Sequence, residues 1–374
     1  MARSIRNLCA AALAAAALLG APASANVRRR SNLAPVMNGQ NFPDPGVIRT
    51  GDGWHAFSTN GIANNRKIHV QMAYTPDFKS WTFRGTKDAM PKLAPWVHAT
   101  APKIWAPDVT QLPDGSFIMY YCASLAKKPA THCLGYATSK NVEGPYVDTS
   151  NSPWICPQVQ GGAIDPAGFL DAGPNKRYVV YKVDGNSIGH GGECGNTVKP
   201  IVPTPLLLQQ VNVKNGRELI GSPIQILTNG PADGPYVEAP SLTYLGGKYV
   251  LFFSSQCYAM PKYDVSYAIS DKITGPYTKY GPLFETGTLG LTAPGGIDVA
   301  INGDRAVFHA NSGSGRAMHT AILSLSGTKV SAKVSLAVEK DLPGGGFSSS
   351  PKGAEGARVI EQAPWANVGE VPGV

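Results

Sequence analysis

Ala106-Pro107-Asp108-Val109, followed by the turn Pro113-Asp114-Gly115 and the run Phe117 to Tyr121, recurs further along as Ala239-Pro240-Ser241-Leu242, the turn Gly246-Gly247 and the run Tyr249 to Phe253. Each copy reads as strand, turn, strand. The match continues through Tyr136-Ala137-Thr138-Ser139 to Gly144-Pro145-Tyr146 in the first copy and through Tyr267-Ala268-Ile269-Ser270 to Gly275-Pro276-Tyr277 in the second, with eight residues from Tyr to Gly in both. Weaker copies begin at Asp44-Pro45, Asp165-Pro166 and Ala293-Pro294, so the head prolines Pro45, Pro107, Pro166, Pro240 and Pro294 stand 62, 59, 74 and 54 residues apart. A period near 60 residues, with about four short apolar or alternating runs per unit, is what a four-stranded blade with long loops requires.

Five heads predict an all-β, five-bladed β-propeller over residues 41–338. Its last blade would use Ile297 to Ile301, Ala306 to Ala310, Ala317 to Leu325 and Lys329 to Val338. A large β-sandwich would also show short strands and turns, but it has no reason to repeat a motif in phase at the head of each unit. Length alone, 374 residues, suggests two domains, whereas a repeat running through the chain makes one. Composition agrees: 42 Gly and 31 Pro are about a fifth of the chain, charged residues are 16%, and no long amphipathic helical pattern occurs.

Outside the repeat, residues 1–25 read as a secretory signal: Arg3 and Arg6, the apolar run Leu8 to Leu19, and Ala23-Ser24-Ala25 as the cleavage site. The apolar run is shorter than the roughly 18 residues that span a bilayer. Residues 26–40 form an N-terminal segment and residues 339–374 a Gly/Ser/Pro-rich tail or strap. The expected mature protein is secreted, extracellular and monomeric, with no membrane partner. Losing Arg3 and Arg6 takes the formal net charge from +8 to +6. Beyond Arg28-Arg29-Arg30 the basic residues are scattered, with no aromatic-lined stripe, which excludes a nucleic-acid partner.

An exported chain favours disulfides. With Cys9 removed, five cysteines remain. A hairpin between Phe117–Cys122 and Cys133–Ala137 predicts a Cys122–Cys133 bridge. Cys156–Cys194 is a second pairing, and Cys257 is then left over.

In a propeller the first strand of every blade lines the axis, so residues at equivalent head positions converge. Asp44, Asp165 and Glu238 stand one or two residues before their head prolines, with Asp108 and Asp298 just beyond theirs. Neighbouring carboxylates repel and raise one another's proton affinity, a strain that usually has a task. Two or three converging carboxylates fit glycoside hydrolysis, in which one carboxylic acid protonates the leaving oxygen and one carboxylate activates water. No EF-hand loop or His/Cys cluster demands a metal, so the residues require no cofactor.

Together, Asp44-Pro45, Trp105-Ala106-Pro107-Asp108, Ile164-Asp165-Pro166 and Glu238-Ala239-Pro240 resemble the signatures of glycoside hydrolase family 43, a five-bladed propeller family of arabinofuranosidases, arabinanases and β-xylosidases. The resemblance covers nearly all of residues 41–338. It implies inversion, with Asp44 as general base, Glu238 as general acid, and Asp165 tuning and orienting the acid. Base and acid should then stand roughly 6.5 to 9.5 Å apart, leaving room for water. His309 resembles a family histidine near the axis that in several members helps hold an ion, often calcium, through waters. Arg316 resembles a position near the substrate. Trp105 is either a platform for the sugar or a packing residue, and Asp108 either ties first strands together or faces a neighbouring subsite.

The implied activity is release of α-L-arabinofuranosyl units from arabinan or arabinoxylan of plant cell walls. The Gly-rich stretch Asp184 to Asn196 and the long third unit could wall one end of the funnel, which favours exo action. His190 within that stretch reads as an exposed loop histidine. An endo-1,5-α-L-arabinanase or a β-xylosidase would carry the same catalytic set, and a non-catalytic carbohydrate-binding propeller would keep the fold alone.

Overall fold

The structure, a computed structural model, describes residues 33–338 and 361–367, with side chains up to residue 334. The predicted signal and most of the predicted tail lie outside these residues. Blade one comprises Gly46–Thr50, Gly53–Ser58, Gln71–Thr75 and Thr82–Phe83, with a small hairpin, Gly61–Ala63 and Arg66–Ile68, between its second and third strands. Blade two has three paired strands, Trp105–Gln111, Phe117–Leu125 and Lys128–Ser139; its fourth is reduced to isolated bridges of Val147 and Ile155 to the third. Blade three is Ala163–Asp171, Lys176–Val183, Leu206–Val211 and Leu219–Leu227, and blade four is Val237–Leu245, Lys248–Ser255, Val265–Ser270 and Thr278–Phe284. Blade five is Gly295–Val299, Arg305–Ser312, Gly315–Ser326 and Lys329–Val338, to which Glu361–Asn367 adds a fifth, outer strand. All pairings within blades are antiparallel, the first strands neighbour one another around the axis, and blade five meets blade one. Among the described residues no helix is long and apolar enough to cross a membrane.

Both faces of a blade are covered by its neighbours, so second strands read as apolar runs rather than alternating ones; all nine residues of Phe117–Leu125 are buried. Each interface has its own apolar cluster. Phe57 and Met72 meet Met119 and Tyr121 between blades one and two, and Tyr120 meets Val179 between two and three. Phe169 and Val180 meet Leu251 and Phe253, then Phe252 and Tyr267 meet Phe308 and Leu323, and Val47 and Ala56 meet Val307 and Met318 to close the ring. The N-terminal segment completes the closure: Val36 N–H donates to Met318 O (2.9 Å), Phe42 N–H to Arg316 O (2.7 Å), and Phe42 is fully buried.

The five heads share one local geometry. Asp44, Ala106, Asp165, Ala239 and Gly296 all adopt left-handed backbone, with φ of 51, 42, 54, 49 and 55°. In blades two to five that residue lies inside a β-bulge of the first strand. A bulge re-aims side chains that a regular strand would alternate. The fifth head is therefore Gly296-Ile297, three residues beyond the Ala293-Pro294 expected from the motif. Glycine is needed there, because a Cβ on Gly296 would come within 2.7 Å of His309 Cε1.

The cysteine expectation is corrected. Cys133 bridges Cys156, Cys194 bridges Cys257, and Cys122 is free and buried. Register is the reason: Cys122 pairs across from Leu134, while Cys133 faces Ala123. A one-residue offset sends side chains to opposite faces, so Cys122 packs toward blade three and Cys133 toward blade one.

Candidate active site

The strand heads bring Asp44, Asp165 and Glu238 to one end of the hub. Asp44 is clamped on all sides. Its N–H donates to His309 Nδ1 (3.0 Å), Oδ2 accepts from the Thr59 hydroxyl (2.7 Å), and Oδ1 accepts from Arg316 Nη1 (3.1 Å). Burial pushes its proton affinity up, but the Arg316 guanidinium and the Thr59 hydroxyl hold the carboxyl below its ordinary value. Asp44 is thus an ionised carboxylate beside a cation, suited to take a proton from water.

Asp165 is in the opposite state. Burial, and then the charge of Glu238, raise it to about 8 against the pull of Lys182, while its Oδ2 accepts the Ala239 N–H at 2.9 Å. Glu238 sits one residue earlier in its blade than the two aspartates, at a regular paired position opposite Ser254, and reaches the hub with its longer side chain. Tyr263 donates its hydroxyl to Oε1 (2.8 Å) and Lys182 donates to Oε2 (3.0 Å). Asp165 therefore keeps its proton into the neutral range, while both oxygens of Glu238 are held by donors.

Between the heads lies a hollow of about 40 Å³ lined by Asp44, Asp108, Asp165, Asp298 and the prolines Pro45, Pro107, Pro166 and Pro240. At roughly 10–15 Å³ per molecule, this is room for a few waters, not a sugar ring. Asp108 is 8% exposed, and its Oδ2 accepts the Gly168 N–H at 2.6 Å, tying blade two to blade three. Asp298 does the same elsewhere, accepting Val47 N–H (2.7 Å) and the Ser241 hydroxyl (2.8 Å). Burial raises both, Asp298 to about 6 and Asp108 well above its ordinary value, with the charge of Asp298 adding to the rise of Asp108. Asp108 thus makes the tie between first strands, one of its two expected roles, and it also lines the hollow.

Trp105 stacks on His132, ring centroids 3.9 Å apart at 18°, and packs beside Cys122 and Leu134. One of its faces is therefore covered. Arg316 joins the site through Asp44 and lies 5.8 Å from the ring centroid of Tyr258, an aromatic that is 53% exposed. Cys194–Cys257 and a Tyr258 N–H bond to the Tyr236 hydroxyl (2.7 Å) anchor Tyr258 at this end of the propeller. His190 is exposed, as expected.

His309 is fully buried; burial, and then Arg316, depress it to about 3, so it is neutral. Its residues do not fit the ion implied by the resemblance. Nδ1 accepts the Asp44 N–H, Nε2 faces the Arg316 guanidinium at 3.4 Å, and among the described residues no group of three His, Cys, Asp or Glu is arranged to hold a metal.

Apart from His309, sequence reasoning missed a second ring of residues. Opposite the heads, on the second strands, stand Ser58, Cys122, Lys182, Ser254 and His309; the last four pair with Trp105, Ile164, Glu238 and Gly295, and Ser58 bonds the Pro43 carbonyl. The signal was present: each follows an aromatic, in Phe57-Ser58, Tyr121-Cys122, Tyr181-Lys182, Phe253-Ser254 and Phe308-His309. Tyr263 and Thr59 come from loops and carried no such mark.

Comparison with known proteins agrees with this geometry. The sequence model of Glycosyl hydrolases family 43 matches residues 33–323. The chain is 28% identical to extracellular endo-α-(1→5)-L-arabinanase 1 of Bacillus subtilis (strain 168) over 71% of its own length and 79% of the relative's. It is 26% identical to that organism's extracellular endo-α-(1→5)-L-arabinanase 2 over 65% and 51% of the two lengths. Among solved structures, a thermostable family-43 glycoside hydrolase superimposes with TM-score 0.65 at 20% identity, covering 85% of this chain and all of that one. The endo-arabinanase of Bacillus licheniformis gives 0.58 at 23% identity, covering 79% of this chain and 98% of that one. With the head motifs, the propeller and the sequence match in agreement, the chain belongs to glycosyl hydrolases family 43.

Proposed function

We propose that this glycoside hydrolase is secreted and cleaves α-1,5-linked L-arabinofuranosyl chains of plant cell-wall arabinan with inversion. In this reading Asp44 is the general base, Glu238 the proton donor, and Asp165 the partner that shares and steers the donor's proton. The observation that carries it is the convergence at one end of the hub of an ionised carboxylate, Asp44, a carboxyl group raised to about 8, Asp165, and a third, Glu238, fixed by two donors. That is the division of labour inversion needs. His309, Thr59 and Arg316 fix Asp44; Tyr263 and Lys182 fix Glu238.

Sequence alone favoured release of single arabinofuranosyl units. The curated relatives are named endo-arabinanases and extracellular, which supports cutting within the chain and export through residues 1–25. Exo action keeps one observation in its favour. The blade-three loop after Val183 is bridged by Cys194–Cys257 to the loop after Ser255 on blade four, at the same end as the carboxylates, where it can close one side. Early digestion products of linear arabinan separate the two readings. A ladder of arabino-oligosaccharides is expected; arabinose alone would establish the exo reading, and activity on xylan but not arabinan would overturn the substrate.

A further inference from the structure

Lys182 is the permanently charged member of the second-strand ring. Its side chain is fully buried, with Nζ 3.0 Å from Glu238 Oε2, 3.1 Å from Asp184 Oδ1 and 4.4 Å from the ring centroid of Tyr236. A buried ion pair is weak support for stability, since well-packed apolar residues serve as well. Its position against the proposed donor calls for another reason. An ammonium touching Glu238 alone would favour the ionised carboxylate, which cannot donate a proton. Asp184, itself buried, faces the same ammonium and divides its charge.

We propose that Lys182 and Asp184 are positioning residues for Glu238: Lys182 fixes the carboxyl group through Oε2, Asp184 balances the ammonium, and the balance sets the pH above which the site loses its catalytic proton. This rests on Glu238 being the donor.

The other groups facing Glu238 hold one state across the neutral range. From blade four, burial keeps the Tyr263 and Tyr236 phenols protonated. From blade two, the buried Cys122 thiol, which faces Asp165 and Asp184, is held well above its ordinary value. From blade five, Arg316 stays charged against Asp44 of blade one, which stays ionised, and His309 stays neutral. Lys182 stays charged, since burial is outweighed by Glu238, Asp184 and Asp165. Asp165 of blade three, raised to about 8 by burial and by the charge of Glu238, exchanges a proton there.

The test is kcat/KM on arabino-oligosaccharides against pH. Without the ammonium the carboxyl it touches keeps its proton to higher pH, so Lys182→Met should move the high-pH limb upward by about one unit. Without the balancing carboxylate, Asp184→Asn should move it downward by about one unit. The double variant should return it toward the parent. Shifts of the same sign, or unmoved limbs, would overturn the proposal. Should Lys182→Met fail to fold, Lys182→Gln and the downward shift of Asp184→Asn decide. Glu238→Gln separates the two levels: turnover retained in it overturns the donor assignment itself, whereas turnover lost in it with unmoved limbs in the others overturns only the part given to Lys182 and Asp184.

Discussion

Asp44 and Asp165 carry the same functional group on the same left-handed backbone, with φ of 51 and 54°, yet the protein drives them to opposite protonation states. The difference lies in what touches them. Asp44 has a guanidinium and a hydroxyl as donors; Asp165 has one backbone N–H and a carboxylate for a neighbour. The raised value of Asp165 has a consequence for stability. Between its ordinary 3.8 and about 8 the folded chain binds a proton that the unfolded chain has released, so this residue subtracts stability as pH rises through that window. Asp165→Asn removes the penalty. The melting temperature of the Asn variant relative to the parent should therefore rise between pH 5 and pH 9. Parallel melting curves across that range would show that Asp165 does not hold the proton in the free enzyme.

At the scale of the element, the bulged strand head makes the site. Its left-handed residue costs about 1–2 kcal/mol for a non-glycine side chain, and four of the five blades accept that cost. In the fifth, a Cβ on Gly296 would come 2.7 Å from His309 Cε1 and 2.8 Å from Nδ1, the atom that accepts the Asp44 N–H. Gly296→Ala should therefore lose about 1–3 kcal/mol of stability by overpacking and lower kcat by displacing Asp44. Calorimetry and steady-state kinetics check both, and a variant unchanged in each would contradict the clamp. These heads were legible in sequence because Asp-Pro and Ala-Pro recur in phase. The fifth was misplaced because Ala293-Pro294 imitates the motif while the true kink, Gly296-Ile297, has no proline. Lys182 went unread because its ring changes chemistry from blade to blade and keeps only the preceding aromatic. The Cys122–Cys133 expectation failed for a related reason: pairing needs register to one residue, and turn signals do not fix it.

At the scale of the molecule, ring closure turns sequence distance into proximity. Asp44, Asp165 and Glu238 come from blades one, three and four, and five apolar interfaces with the N-terminal segment on blade five hold them in register. The blade count and the converging acids could be read from a repeat, because a repeat dictates both. The hydrogen bonds that set each acid's charge could not, because they join residues as far apart as Asp44 and His309, 265 positions along the chain. Base and donor facing each other across a substrate make water enter opposite the leaving group. The most direct check is the anomeric configuration of the first sugar released from an α-1,5-arabino-oligosaccharide, followed by proton NMR before mutarotation. The β-anomer should appear first; an initial α-anomer would mean that Asp44 does not act through water.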